Sequence, residues 1–243
     1  MNANPVDILA VGVHPDDVEL SCSGTILKHI KSGRTCAVVD LTRGELGSRG
    51  TPEKRAQEAA KAAEIMNLKD RVNLGLADGF FEINREATRK IMEVIRYFRP
   101  KILLCNAPDD RHPDHGRAAK LVNEAAFYSG LIKIQTVYQG QEQLPHRPTA
   151  VYHYIQDRYL KPDFVVDISD EWEQKMECIQ AYDSQFYIPG KENNEPQTPI
   201  SGKEFIDFLR SRAVQFGRSI QRPYAEGFIA ARTPGVNDLF DLV

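Results

Sequence analysis

The sequence predicts an α/β fold, a Rossmann-like three-layer arrangement with a mostly parallel sheet. Short apolar runs alternate with helix-like segments through the first 106 residues. Each apolar run has the length of a buried parallel strand, and polar or turn-forming residues end it. Such alternation is typical of a parallel sheet with right-handed crossovers. With 243 residues, the chain is expected to form one domain over residues 1–243.

Four strands and three helices are predicted in the first half of the chain. The strands cover 6–13, 34–42, 72–76 and 101–106, and the helices cover 17–31, 51–67 and 85–98. Thr51 followed by Pro52 is a helix-start pattern, and Gly33 marks the end of the first helix. A doubly wound sheet would place these strands in the order 3-2-1-4, which makes the first and fourth strands neighbours.

The second half of the chain is less regular. Helices are predicted at 116–129, 170–182 and 201–216, and strands at 149–155 and 163–168. Residues 133–148 and 187–200 are rich in Pro, Gly, Gln and Asn, and we interpret them as excursions from the same domain.

Composition narrows the partners and the location that we expect. A net charge of −3, from 31 basic and 34 acidic residues, argues against a general nucleic-acid or membrane-surface binder. No apolar run approaches the roughly 20 residues of a membrane span, and residues 1–5 lack the features of a signal peptide. The four cysteines are widely spaced, as is typical of buried free thiols in a reduced cytoplasm. We therefore expect a cytoplasmic protein that binds neither nucleic acid nor a membrane.

Two polar motifs follow the first and fourth predicted strands. The first motif is His14-Pro-Asp-Asp17, and the second is His112-Pro-Asp-His115. Sites in α/β sheets form at the carboxyl ends of neighbouring strands, so both motifs are expected within reach of one ligand. Either motif alone could equally be a turn or a helix cap. Their occurrence at two equivalent strand ends favours a site.

The residue types in the two motifs favour a metal site. Imidazole and carboxylate ligands without cysteine suit Zn²⁺ or another borderline divalent metal. Three protein ligands and one open position are typical of a catalytic centre, and His14, Asp17 and His115 are the natural three. Asp16 would then lie free to take a proton from water beside the metal.

His112 is predicted to act beside the metal. It would hydrogen-bond a developing oxyanion or protonate a leaving group, and Asp114 could orient its ring. Asp16 is the other group that could protonate the leaving group, and the sequence leaves this choice open.

The sequence disfavours two other enzyme classes, dinucleotide-dependent enzymes and serine hydrolases. The first strand-to-helix turn reads Gly-Val-His-Pro-Asp-Asp, lacks G-x-G-x-x-G, and would repel a pyrophosphate. There is no G-x-S-x-G nucleophile elbow, which weakens a serine hydrolase. His29 is interpreted as an ordinary helix residue, and His146 and His153 as structural or solvated side chains.

In this order, the motifs resemble the LmbE/PIG-L family of zinc-dependent de-N-acetylases. Gly24-Thr25 and Arg55-Ala-Gln-Glu58 add to the two histidine motifs, and the resemblance covers the whole chain. The stretches Tyr182-Asp-Ser-Gln-Phe-Tyr187 and Arg222-Pro-Tyr-Ala-Glu-Gly-Phe228 are similar, more narrowly, to the bacillithiol-biosynthesis (BshB-type) branch. Ser21-Cys22-Ser23-Gly24 departs from the doubled glycine that is common in relatives.

The resemblance implies hydrolysis of an N-acetyl group on a glucosamine-containing substrate. In the bacillithiol branch, this substrate is N-acetylglucosaminyl malate, and the products are glucosaminyl malate and acetate. The resemblance also implies one Zn²⁺ per chain on the same three ligands, and the same roles for Asp16, His112 and Asp114. Since family members are often homo-oligomeric, an assembly is expected.

Three further residues are candidates for substrate binding. Arg55 matches a family arginine near the substrate, and a guanidinium there could fork onto a carboxylate such as malate. Asp78 follows the third strand and could hydrogen-bond sugar hydroxyls. Tyr187 could close over the pocket. A surface arginine, a plain turn and simple packing are the respective alternatives.

Other functions keep the same site. The enzyme could deacetylate another N-acetylglucosamine conjugate or a chitooligosaccharide. A metal phosphoesterase usually needs more carboxylate ligands than the sequence offers. A non-catalytic metal-binding or sugar-binding protein would not need both Asp16 and His112.

Overall fold

The computed structural model describes residues 4–190 and 195–242. In chain order, strands β1 to β9 are Ile8–Gly12, Cys36–Thr42, Asp70–Leu76, Ile102–Cys105, Val137–Tyr138, Gln141–Glu142, Ala150–Tyr154, Phe164–Asp167 and Ala225–Ala230. Helices α1 to α6 are Asp17–Lys31, Pro52–Met66, Arg85–Phe98, Pro113–Tyr128, Trp172–Gln180 and Lys203–Ser219. Short 3₁₀ helices are Ser169–Glu171 and Leu239–Leu242.

Seven strands form one mostly parallel sheet in the order β3-β2-β1-β4-β7-β9-β8. Strand β1 pairs in parallel with both β2 and β4, which confirms the predicted order 3-2-1-4. Strand β9, which the sequence did not predict, runs antiparallel between β7 and β8. Strands β5 and β6 form a separate small hairpin inside the first predicted excursion.

Strand β1 is buried on both faces, which explains its continuous apolar sequence. Leu9 and Val11 pack into one apolar cluster with residues of α3 and α4. Ile8 and Ala10 point to the opposite face, where they join residues of α1, α2 and α5. The two clusters lie on opposite faces of the sheet, each between the sheet and a set of helices, so the fold has three layers. They fix the carboxyl end of β1 at the centre of the sheet edge.

Helix α4 begins three residues earlier than predicted. The sequence pattern predicts Pro113 to His115 before the helix, whereas the structure places them in its first turn. Pro113 occupies the first helical position, which tolerates a missing amide hydrogen. His112 caps the helix with its Nδ1, 3.3 Å from the amide of Asp114. Histidine is not a common capping residue, so the sequence pattern did not reveal this start.

Two simpler expectations can be compared with the structure. The four cysteines are free and buried, as predicted. Within residues 4–190 and 195–242, none of the helices combines the length and apolar character that a bilayer crossing requires. The signal-peptide expectation concerns residues 1–5, of which 1–3 lie outside the described residues. Residues 191–194 of the second excursion also lie outside them.

Candidate active site

The two histidine motifs meet at the carboxyl ends of β1 and β4, as predicted. The ring centroids of His14 and His112 are 4.7 Å apart, and those of His112 and His115 are 5.2 Å apart. The rings of His14 and His115 are 5.7 Å apart. Three imidazoles from two segments about a hundred residues apart therefore form one cluster.

Asp17 lies between His14 and His115. Its Oδ2 accepts hydrogen bonds from the amides of Val13 and His14, at 2.9 and 3.0 Å. Its carboxylate also approaches Nδ1 of His14 at 3.7 Å and Nε2 of His115 at 3.3 Å. Burial alone would raise the pKa of Asp17, but the charge and hydrogen bond of His115 outweigh it and hold this pKa well below its ordinary value. Asp17 is thus a carboxylate fixed between two rings.

Three further polar residues, which the sequence motifs did not indicate, support this cluster. Asn106 and Gln156 donate side-chain hydrogen bonds to Asp17, at 3.0 and 2.5 Å. Asp110 lies 2.5 Å from Nδ1 of His115, which leaves Nε2 facing Asp17. Gln156 follows β7, the neighbour of β4, so its place after a predicted strand could have indicated a site residue.

The arrangement fits a divalent metal. One ligand atom each from His14, His112 and His115 lie within 4.8 Å of one another, and the same holds for His14, Asp78 and Asp114. Asp17 joins the first set through its approach to two of the rings. Nitrogen and oxygen donors of this kind suit zinc and similar ions.

The raised pKa values of His14 and His115 also fit a cation site. Burial alone would lower the pKa of His14, but hydrogen bonds to Asp17 and Asp78 outweigh it and raise that pKa to about 10. Burial likewise opposes protonation of His115, but Asp17 and Asp110 raise its pKa to about 9. The carboxylates around these two rings therefore favour positive charge in the cluster.

Asp16 is buried next to this cluster. It adopts a φ of 128°, at the N-cap position of α1, without a side-chain capping bond. Its Oδ2 accepts a hydrogen bond of 2.7 Å from Nη2 of Arg55, which also donates to the carbonyl of Pro15. Burial raises the pKa of Asp16 to about 7, against the opposing charge of Arg55. A carboxyl group with such a pKa exchanges a proton readily near neutral pH.

His112 is held as a hydrogen-bond donor toward the cavity. Burial, and then the charges of His14 and His115, lower the pKa of His112, so the ring is neutral at pH 7. Because Nδ1 accepts from the amide of Asp114, the neutral ring carries its hydrogen on Nε2.

The carboxylate of Asp114 is bonded elsewhere than to His112. It accepts hydrogen bonds from the amide of Gly79 at 2.8 Å and from Arg117 at 2.6 Å. The hydrogen bond between Asp114 and His112 runs through the backbone amide of Asp114. The expected support of His112 by the Asp114 carboxylate is therefore replaced by support from the backbone.

The three candidate substrate residues differ in position. Arg55 lines the cavity, but its guanidinium is bonded to Asp16. Asp78 also lines the cavity, 3.0 Å from Nε2 of His14, and accepts from the amide of Leu46. Tyr187 is 37% exposed and lies outside the residues that line the cavity.

The cavity at the two motifs has a volume of about 310 Å³. Its floor is the histidine cluster, and its walls come from residues 46–48, residues 198–200 and helix α6. This volume and the mixture of polar and apolar walls suit a small-molecule ligand.

Two further stretches of the predicted motifs stabilise α1 rather than line the cavity. Glu226 of β9 accepts hydrogen bonds from the amides of Gly24 and Thr25, at 3.0 and 2.7 Å. Lys175 donates to Glu226 at 2.8 Å. A Cβ atom at Gly24 would lie 2.8 Å from Ile168, so a side chain does not fit there.

Comparison with known proteins identifies similar chains. The PIG-L family model, described as GlcNAc-PI de-N-acetylase, matches residues 9–126. The diacetylchitobiose deacetylase of Thermococcus kodakarensis is 31% identical over 230 residues, which cover 90% of this chain and 81% of that protein.

Two further relatives are informative. The Bacillus anthracis protein named probable N-acetyl-alpha-D-glucosaminyl L-malate deacetylase 2 is 26% identical over 206 residues, covering 75% of this chain and 83% of that protein. The crystal structure of the conserved protein TT1542 from Thermus thermophilus superposes with a TM-score of 0.83 at 32% identity, covering 96% and 98% of the two chains.

Proposed function

This chain belongs to the PIG-L family of de-N-acetylases, and we propose that it hydrolyses the N-acetyl group of N-acetylglucosaminyl malate, as in bacillithiol biosynthesis. The observation that carries the proposal is the convergence of both histidine motifs, with the buried Asp16, on one cavity. The malate conjugate is supported by the stretches 182–187 and 222–228 and by the similarity to the Bacillus anthracis protein.

The proposed metal is Zn²⁺, one per chain, held by His14, Asp17 and His115. Asp110 fixes the ring of His115, as carboxylates commonly do for metal-binding histidines. When bound, such an ion supplies polarisation of the acetamide carbonyl and lowers the pKa of water.

The proton transfers are assigned to residues of the chain. Asp16, with a pKa of about 7, takes a proton from the attacking water. Arg55 holds the Asp16 carboxylate in place through its 2.7 Å hydrogen bond. His112 donates its Nε2 hydrogen to the oxygen that becomes negative as the amide carbonyl is attacked. Either Asp16 or His112 then returns a proton to the leaving amine.

Substrate contacts are proposed for Arg55, Asp78 and Tyr187. Arg55 and Asp78 line the cavity, so a sugar bound above the histidines would meet both side chains. Tyr187 is proposed to cover the ligand from the segment that follows Gln185, which itself lines the cavity.

A second candidate substrate is a chitooligosaccharide. It is favoured by the 31% identity to the Thermococcus kodakarensis protein, whose name gives diacetylchitobiose as its substrate. The same residues would serve this reaction, because only the group attached to the N-acetylglucosamine differs.

Acetate release tests the proposal directly. The purified protein is assayed on N-acetylglucosaminyl malate, diacetylchitobiose and free N-acetylglucosamine, with and without a chelator, and its metal content is measured. We expect chelator-sensitive acetate release, fastest from the malate conjugate, and zinc near one per chain. Faster release from diacetylchitobiose would select the second candidate. Phosphate release from sugar phosphates without any acetate would contradict a deacetylase.

A further inference from the structure

The cavity wall formed by helix α6 is apolar and carries one arginine. Phe205 and Leu209 line this wall together with Leu20 of α1, and Arg212 follows Leu209 by one helical turn. Leu209 and Leu20 are buried. A charged group among apolar side chains loses hydration, so its hydrogen-bond partners decide whether its position is favourable.

Three arginines line the cavity, and two of them have a carboxylate partner. Arg55 pairs with Asp16 at 2.7 Å, and Arg111 pairs with Asp157 at 3.1 Å. Within residues 4–190 and 195–242, Arg212 has no carboxylate at ion-pair distance, and its hydrogen bond runs from Nη2 to the carbonyl of Leu20 at 3.1 Å. Since a guanidinium has five N–H groups, the protein uses little of its donor capacity.

The acidic side chains that act on Arg212 are bonded to other groups. Burial lowers the pKa of Arg212 to about 10, and Glu226, Asp157 and Asp110 oppose this change. Glu226 accepts a hydrogen bond from Lys175, and Asp157 pairs with Arg111. Asp110 is bonded to His115. Arg212 is therefore a cation at neutral pH that has no anion of its own in the part of the chain that the structure describes.

Arg212 and the three histidines of the cluster line the same cavity. Leu20, whose carbonyl it contacts, is one helical turn beyond Asp17, about 4.5 Å along the axis of α1. A sugar with its acetamide group at Asp17 would direct another substituent toward the α6 wall.

We propose that Arg212 binds a carboxylate on the group attached to the amino sugar, so that the site selects anionic conjugates over neutral ones. The inference rests on the proposed deacetylase function and defines its substrate class. A planar guanidinium can bind a carboxylate through two parallel hydrogen bonds. The apolar wall strengthens this pairing, because an ion pair is stronger where water is excluded.

The experiment compares substrate preference in Arg212→Met and in the wild type. Methionine keeps the apolar stem but removes the charge. We expect the ratio of kcat/KM for N-acetylglucosaminyl malate to that for the neutral diacetylchitobiose to fall about tenfold or more, mainly through KM, because hydrogen bonds to a charged group are lost. Arg210→Met is the matched control, since Arg210 is exposed on the same helix and is expected to keep the wild-type ratio.

The two hypotheses fail in different ways. A ratio that stays unchanged in Arg212→Met would overturn the anion site and leave Arg212 a structural residue. If the wild type releases acetate from neither substrate, the deacetylase function fails, and calorimetric binding of N-acetylglucosaminyl malate then tests Arg212. Weaker binding by the variant supports the site, and equal binding overturns it. If Arg212→Met does not fold, Arg212→Lys, which lacks the planar fork, is tested by the same ratio.

Discussion

Asp16 shows how a single residue is placed for chemistry against its local preference. A φ of 128° is unfavourable for any residue with a side chain, so the surroundings must hold it there. The carbonyl of Asp16 accepts the amide of Leu20, and the carbonyl of Pro15 accepts a hydrogen bond from Arg55. These contacts fix a carboxyl group with a raised pKa beside three imidazoles.

Replacing Asp16 by asparagine tests its role as the base. The amide keeps the shape of the side chain but does not take a proton, so we expect turnover to fall about a hundredfold or more. Metal content should stay at the wild-type level, because Asp16 is not a proposed ligand. Acetate release and elemental analysis measure the two effects. Asp207→Asn, at an exposed position of α6, is the control. Full activity of Asp16→Asn would remove Asp16 from this role.

Asp110 and Asp109 provide a matched pair of neighbours. Asp110 is buried against His115, whereas Asp109 is exposed and pairs with Arg158. Asp110→Asn should weaken zinc binding about 10- to 100-fold, because the orienting carboxylate is lost. Asp109→Asn should leave it unchanged. Competition with a chromophoric chelator measures both affinities, and equal affinities would show that Asp110 does not support the metal site.

The sequence revealed the residue types of the site better than their contacts. His14 and His115 could be placed together because strand order follows from the alternation of elements. Nothing local distinguishes Asp110 from Asp109, since both follow β4 in one polar run. The pairing of Arg55 with Asp16 likewise depends on packing between helices that the pattern does not describe.

Helix α1 begins at Asp17, the last residue of the first motif, and a residue of β9 braces it. Glu226 accepts from the amides of Gly24 and Thr25 and is itself bonded to Lys175. The Gly24-Thr25 stretch and the late Ala-Glu-Gly stretch are thus two halves of one contact. Both stretches resemble those of family members, but nothing in the sequence indicates that they touch.

Gly24→Ala tests the close packing of α1. The added methyl group would lie 2.8 to 2.9 Å from atoms of Ile168, so the buried neighbours must shift. We expect the free energy of unfolding to fall by about 1–3 kcal/mol, as for other overpacked sites. Gly235→Ala, where no atom of the described residues lies within 4 Å of the added group, is the control. Urea denaturation measures both, and equal stability of the two variants would contradict the packing.

Elements of the first half were predictable and β9 was not, for a physical reason. Strands β1, β2 and β4 are short, mostly apolar runs, and each of the strands β1 to β4 is followed by a helix. Strand β9 inserts between β7 and β8 from a distant part of the chain, and pairing at such separation leaves no local periodicity. The early start of α4 was also missed, because it depends on a histidine acting as the cap.

At the scale of the whole molecule, acid should destabilise the fold through His153. Burial lowers the pKa of His153, opposed by its hydrogen bond to the carbonyl of Asn106. The unfolded chain binds this proton near pH 6.5, and the folded chain does so only at lower pH. Stability is therefore fully present above about pH 6.5 and is lost as pH falls below that value, by up to about 1.4 kcal/mol per pH unit.

The variant His153→Asn isolates this contribution. Asparagine keeps a donor for the carbonyl of Asn106 but has no proton to gain. We expect it to be less stable than the wild type at pH 7, with a smaller loss between pH 7 and pH 5. Urea denaturation of the chelator-treated proteins gives both curves. Parallel curves would show that His153 does not titrate on unfolding.

The quaternary state that we expect is a homo-oligomer. A homo-oligomer and a single folding domain over residues 1–243 stay predictions. Large exposed apolar side chains, such as Ile132 at 81% and Phe240 at 81%, would gain from cover by another copy. Light scattering coupled to gel filtration should give a mass above the 27.5 kDa of one chain. A monomer at micromolar concentration would contradict the expected assembly.

The hydrogen bonds between Glu226 and α1 join residues 201 and 202 positions apart in the chain. A growing polypeptide on the ribosome therefore exposes the first histidine motif long before the residue that braces its helix has been made. Synthesis of the chain through β9 must precede the final fixing of that helix, and pairing over such a separation slows folding. Premature termination before β9 would thus yield a polypeptide that has every proposed zinc ligand and lacks the brace for the helix that bears Asp17.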